Sequence, residues 1–124
     1  MAEWNKEAAK AFHEGYRGSY AGDIVAGEVI RLAHGYVGDR ILDVGAGSGA
    51  VLKELPRSIG IDFVSKHPRM LQGDASRMPF VNNSFDTVFL TEVLEHLDDA
   101  TMEMCLNEVH RILNWGGIDH YCSR

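Results

Sequence analysis

The sequence predicts an α/β fold, a mostly parallel, doubly wound sheet with helices on its faces. Three observations carry that expectation. Short apolar, β-branched runs alternate along the chain with segments of helical period. Glycines at alternate positions follow the first apolar run and precede a helical restart, in "RILDVGAGSGAVLKEL". Aspartates stand at or near the ends of three successive runs, at Asp43, Asp62 and Asp74. In an open parallel sheet, ligands lie at the carboxyl ends of the strands, where that glycine loop falls.

The elements follow in order. Trp4, Ala8, Phe12 and Tyr16 recur every four residues between Lys and Glu, the pattern of an amphipathic helix ended by Gly15 and Gly18. Asp23 is the expected N-cap of a second helix with Val25, Val29, Leu32, Ala33 and Tyr36 on its apolar face, closed by Gly35 and Gly38. Residues 40–44 form a first strand, and residues 50–55 a short helix broken by Pro56. Residues 58–61 are a second strand ending at Asp62, and residues 70–72 a third before Gly73 and Asp74. Asn82, Asn83 and Ser84 make a turn. The β-branched run "DTVFL" at 86–90 is a fourth, buried strand. Asp98 or Asp99 caps a last helix with Met102, Cys105, Leu106, Val109, Ile112 and Leu113 on one face. Trp115, Gly116 and Gly117 stop it, and residues 118–122 begin a fifth strand.

Bulk properties narrow the function classes. The chain of 124 residues is the length of one domain, and 45% apolar with 24% charged residues is a globular balance rather than a disordered one. A formal net charge of −6, with no run of Lys and Arg, disfavours nucleic acid as a partner. Cys105 and Cys122 have neither disulfide nor metal spacing, which points to reduced thiols in a cytoplasmic protein. The N-terminus lacks a signal-peptide core, and no apolar run is long enough to span a membrane.

The glycine loop admits three ligands. A nucleoside triphosphate loop needs Lys and Ser or Thr after its last glycine, whereas Gly49 is followed by Ala50 and Val51. Gly45, Gly47 and Ala50 do satisfy the dinucleotide pattern. Against it stands Asp43, whose charge two residues before Gly45 would repel a pyrophosphate and attract a cation. S-adenosylmethionine, with an ammonium, a sulfonium, a ribose and no phosphate, fits that charge. Asp62 is placed to accept from ribose hydroxyls and Asp74 from an adenine amino group, although each taken alone is better explained as an ordinary turn or cap aspartate.

The stretches "ILDVGAGSG", "GID", "GDASRMPF", "NNSFDTVFLTEVLEHL" and "EVHRILNWGG" together resemble the successive motifs of class I, Rossmann-like S-adenosylmethionine-dependent methyltransferases. The resemblance implies a three-layer sheet in the order 3-2-1-4-5 and a single methyltransferase-like domain over residues 1–124. Its N-terminal helices would occupy residues 1–38 and its cofactor-binding core residues 39–124. It also implies that Asp43, Gly45, Ala46, Gly47 and Gly49 hold the methionine end of S-adenosylmethionine, Asp62 the ribose, and Asp74 with Ala75 the adenine, on which Phe63 packs. Family chemistry is in-line methyl transfer, to a small-molecule acceptor in the leading reading and in the alternative absent from a non-catalytic S-adenosylmethionine-binding module that needs a partner chain.

Two departures from the pattern stand out. Six residues separate Asp62 from Arg69, too few for the usual helix, so one sheet face should be thinly covered there. Relatives have Pro where Trp115 stands and continue into further strands that complete the sheet and the acceptor site. The fifth strand would then be an open edge and a template for a homodimer. Glu92, Glu95 and His96, in "TEVLEHL", have a spacing that could bind Mg2+ or serve as a base, and that equally suits an acid-rich helix start. His13, His34, His67, His110 and His120 show no ligand spacing and are expected in solvent, while Tyr16 and Tyr20 are candidates to fold over the cofactor.

Overall fold

The computed structural model describes residues 19–91, 93, 96–114 and 120–123. The expected helix of Trp4, Ala8, Phe12 and Tyr16 lies outside them. Helix α1 is Ser19–Ala33, followed by a 3₁₀ turn at His34–Tyr36. Then come β1 (Ile41–Val44), α2 (Ala50–Glu54), β2 (Ile59–Asp62), β3 (Met70–Gln72), β4 (Thr87–Leu90), α3 (Asp99–Ile112) and β5 (His120–Ser123). All strand pairs are parallel, in the order β3-β2-β1-β4-β5. This is the doubly wound arrangement that the alternation of elements predicted.

Alternate residues of the central strands face opposite layers. Ile41 and Phe89 pack with Ala26 and Val29 of α1 and Val51 of α2. On the other face, Leu42, Val44, Val88 and Leu90 pack with Cys105, Val109 and Ile112 of α3. Helices therefore cover both faces, which is why β1 and β4 are buried along their whole length and have continuous apolar character at all but Asp43 and Thr87. Cys105 is a free, fully buried thiol in that core, and burial pushes its pKa up to about 11.

Helix α1 departs from the expected pattern at both its start and its face. It begins at Ser19, so Asp23 lies within the helix rather than at its N-cap. Leu32 and Tyr36, expected inside, are 70% and 64% exposed. Val29 and Ala33 do face inward as expected, and Ala26 and Ile30 join them in the stripe set by the approach of α2. Packing against a neighbour fixes where a helix sits more strongly than a local cap does. Helix α3 keeps its expected cap: the Asp98 side chain accepts from the Thr101 N–H at 2.7 Å, and this bond holds its carboxyl below the usual range. Its face is also as expected except at Leu106, which is exposed.

No helix joins β2 to β3, as the short spacing predicted. The register places Gly60 beside Met70 and Asp62 beside Gln72, so the chain returns by only about two residues of strand, roughly 7 Å, before it pairs again. Residues 63–69 cover that distance without a crossover helix. Thin cover does not leave the face bare, because Gly60 and Met70 are buried under Ala46 and Leu52.

At the amino ends of the strands, Asp86 ties β1 to β4. Its Oδ2 accepts from the Asp39 and Arg40 N–H groups, both at 3.1 Å, and its Oδ1 from the Thr87 hydroxyl at 2.9 Å. Thr87 Oγ1 in turn accepts from the Gly38 N–H at 2.9 Å. No helix among the described residues is long and apolar enough to cross a membrane.

Candidate functional site

The site is built at the carboxyl ends of β1, β2 and β3. Leaving β1, the chain turns through Gly45, Gly47 and Gly49, all at positive φ. Gly45 has a second reason to be glycine, since a Cβ there would stand 2.5 Å from Val93 Cγ2. The loop is strapped to the end of β2: Gly45 and Ala46 N–H both donate to the Ile61 carbonyl, at 2.8 and 3.2 Å. Gly47 N–H donates to Asp62 Oδ2 at 2.7 Å. Asp62 Oδ1 accepts from Phe63 N–H, also at 2.7 Å. Asp62 is thus an architectural residue as well as a ligand candidate, which its position at a strand end could not reveal.

Asp43 is different. It is 2% exposed, and its Oδ1 is the buried side-chain oxygen without a hydrogen-bond partner among the described residues. Burial, and then the nearby charge of Asp62, push its carboxyl well above the usual carboxylate range. Burying an acid oxygen without a hydrogen bond is costly, because its desolvation is not offset there. Asp74, by contrast, is exposed, and its Oδ1 accepts from the Ser76 N–H at 2.8 Å and the Ser76 hydroxyl at 2.7 Å.

A pocket of about 180 Å³ opens between these strand ends and the start of α3. Gly45, Asp62, Phe63, Asp74 and Ala75 line it, as expected from the sequence. Asp43, Ala46, Gly47 and Gly49 are not among its lining residues. The far wall was not foreseen: it comes from Val93, Leu97 and Thr101, with Ser76 beside Asp74. The spacing of four between 93, 97 and 101 was a legible signal, overshadowed by the acids interleaved with it. Of the candidate metal set, Glu92 and Glu95 lie outside the described residues. His96 is half-buried and donates its N–H to the Val93 carbonyl at 3.1 Å. Among the described residues no three His, Cys, Asp or Glu side chains group to hold a metal.

Comparison with known proteins agrees with this geometry. The Methyltransferase domain family matches residues 42–119, more than half of the chain. The sterol 24-C-methyltransferase of Schizosaccharomyces pombe is 26% identical over 138 residues, covering 89% of this chain and 35% of the relative. Among solved structures, 1,6-didemethyltoxoflavin-N1-methyltransferase of Burkholderia thailandensis, with 1,6-didemethyltoxoflavin and S-adenosylhomocysteine bound, superposes with a TM-score of 0.72. It is 17% identical, covering 88% of this chain and 56% of that one. A SAM-dependent methyltransferase from Archaeoglobus fulgidus gives a TM-score of 0.66 at 24% identity, covering 85% and 53%. The chain spans a quarter to a half of the length of curated relatives that it matches, between 26% and 49%. The sheet order, the glycine turn over β2 and the matched family lead to one conclusion: the chain belongs to the class I, Rossmann-like S-adenosylmethionine-dependent methyltransferases.

Proposed function

We propose that this chain binds S-adenosylmethionine at the carboxyl ends of β1, β2 and β3 and transfers its methyl group to a small-molecule acceptor. The observation that carries the reading is Asp43, a buried acid two residues before Gly45 with an oxygen that has no partner among the described residues. A phosphate-bearing dinucleotide would add negative charge above Asp43 and Asp62, whereas a phosphate-free ligand with cationic groups would offset theirs. Bound S-adenosylmethionine supplies a methyl group on a positive sulfonium, open to in-line attack.

The protein's own part is binding and orientation. Gly45 lets the backbone approach a ligand without a Cβ. Asp62, held by two backbone N–H groups, presents an oriented carboxylate to the pocket, the group a ribose hydroxyl would donate to. Phe63 offers an aromatic face, and Asp74, with Oδ1 taken by Ser76, offers Oδ2 to an amino group. Holding the two reactants in line supplies much of the acceleration in such a transfer.

A small acceptor is supported by the net charge of −6, which opposes a nucleic-acid substrate, and by the sterol and didemethyltoxoflavin methyltransferases among similar proteins. The free, buried thiol of Cys105 supports a cytoplasmic location. Titration calorimetry with S-adenosylmethionine and NAD tests the cofactor, and release of S-adenosylhomocysteine in the presence of candidate acceptors tests turnover. The reading expects S-adenosylmethionine to bind far more tightly than NAD. Comparable affinities would return the dinucleotide reading to the front.

A further inference from the structure

Helix α2 carries the exit of the glycine loop, yet it is only five residues long. A helix of that length has no stability of its own, because nucleation is unfavourable and few bonds follow it. Its N-cap, Gly49, makes no side-chain cap bond. Besides the core packing of Val51 and Leu52, it is held at both ends by the short connection between β2 and β3. The ring of His67 lies against Gly49, where a Cβ would stand 3.4 Å from His67 Cδ2. At the other end of the helix, the Arg69 guanidinium donates to the carbonyls of Leu52, Leu55 and Ser58. The first two are carbonyls from the last turn and C-cap of α2, which have no onward helical partner.

The connection is itself rigidly keyed. Arg69 N–H donates to His67 Nδ1 at 3.1 Å, which fixes the ring, and the Arg69 carbonyl accepts from Gly60 N–H at 2.9 Å, which fixes the backbone to β2. Met70 N–H donates to the His67 carbonyl at 3.0 Å. His67 is therefore not the solvated side chain that its lack of ligand spacing suggested. One three-residue stretch grips both ends of α2 and is anchored to the strand that ends in Asp62.

We propose that residues 67–69 are a positioning clamp for the cofactor loop, in which His67 and Arg69 set S-adenosylmethionine affinity without lining the pocket. The clamp does the work of the helix that this connection lacks. Gly49 N–H donates to the Ala46 carbonyl at 2.8 Å, and Lys53 N–H to the Gly49 carbonyl at 3.0 Å, so movement of α2 is carried directly into residues 45–49. The effect on affinity rests on the cofactor reading above; the effect on α2 does not.

Two measurements on Arg69→Ala, Arg69→Lys and His67→Ala separate the two. Hydrogen exchange without ligand should accelerate about tenfold at the Lys53 and Leu55 amides in Arg69→Ala, and less in Arg69→Lys, whose ammonium can still serve part of the carbonyl set. Calorimetry should show S-adenosylmethionine binding weakened about tenfold in Arg69→Ala and His67→Ala. Asp86→Ala, at the opposite end of the strands, should lower the melting temperature while leaving that affinity unchanged. Exchange at wild-type rates would overturn the clamp, as would wild-type affinity in both alanine variants. Accelerated exchange with no titration even by the wild type would uphold the clamp on α2 and overturn the cofactor reading instead. Should Arg69→Ala fail to fold, Arg69→Lys and His67→Ala carry the same comparisons.

Discussion

Asp43 and Asp86 belong to opposite ends of the same sheet, and they were equally plain as aspartates in apolar runs. Asp86 accepts three hydrogen bonds and splices β1 to β4. Asp43 is more deeply buried, and its Oδ1 accepts none from the described residues. A polar group whose bonds are all made within the chain is explained by the fold. One that is buried and unpaired is not, and its missing partner is the argument for a ligand. The amino ends of the strands are in this sense finished by the chain alone, while the carboxyl ends are where the proposed cofactor would finish them.

That contrast can be broken most forcefully at the glycines. Gly45 and Gly38 stand at the two ends of β1, and a Cβ on either would meet a neighbour, Val93 Cγ2 at 2.5 Å or the Asp86 carboxylate at 2.3 Å. Gly45→Ala combines that overlap with a φ of +71° and should destabilise the protein by about 3 kcal/mol, with loss of cofactor binding. Gly38→Ala pushes only on a half-exposed side chain and should cost about 1 kcal/mol. Chemical denaturation of the two variants measures the difference. Equal losses would mean that the carboxyl-end turn is no more constrained than the opposite one.

Charge removal sharpens the same point. Asp43→Asn keeps the shape and removes the charge, and should weaken S-adenosylmethionine binding by about 1.5–3 kcal/mol, the range for a hydrogen bond to a charged group. Calorimetric affinity equal to wild type would remove Asp43 from the binding argument. Asp86→Ala should do the reverse, lowering stability by about 1–2 kcal/mol through its orphaned donors while the affinity holds.

The smallest effect is a pH dependence. Because the folded-state pKa of Asp43 is raised, the unfolded chain releases this proton first as pH rises. The unfolded state then binds fewer protons, so the stability contributed by Asp43 is complete below about pH 4 and is lost as pH rises toward the folded-state value. Melting of the ligand-free protein across that window should show a slope of at most about 1.4 kcal/mol per pH unit that is absent from Asp43→Asn. An identical slope in both would place the titration elsewhere.

The sequence by itself determined the fold class and where the strands fall, and its family resemblance implied their order; the reason is local. Alternating apolar runs, glycines that take positive φ without a Cβ penalty, and acids at strand ends are all written within a few residues of one another. β3 fell where the run at 70–72 placed it, and Asp98 capped α3 because an N-cap bond spans only three residues. Tertiary structure decided everything that depended on a distant partner. It chose the buried stripe of α1, because α2 lies against Ala26 and Val29 rather than against Leu32. It turned Asp62 into a strap for Gly47, brought Val93, Leu97 and Thr101 to the pocket wall, and set His67 and Arg69 at the two ends of α2. Above all it left Asp43 Oδ1 unpaired among the described residues. Whether a buried oxygen has a partner depends on every element packed around it, and no spacing along the chain records that.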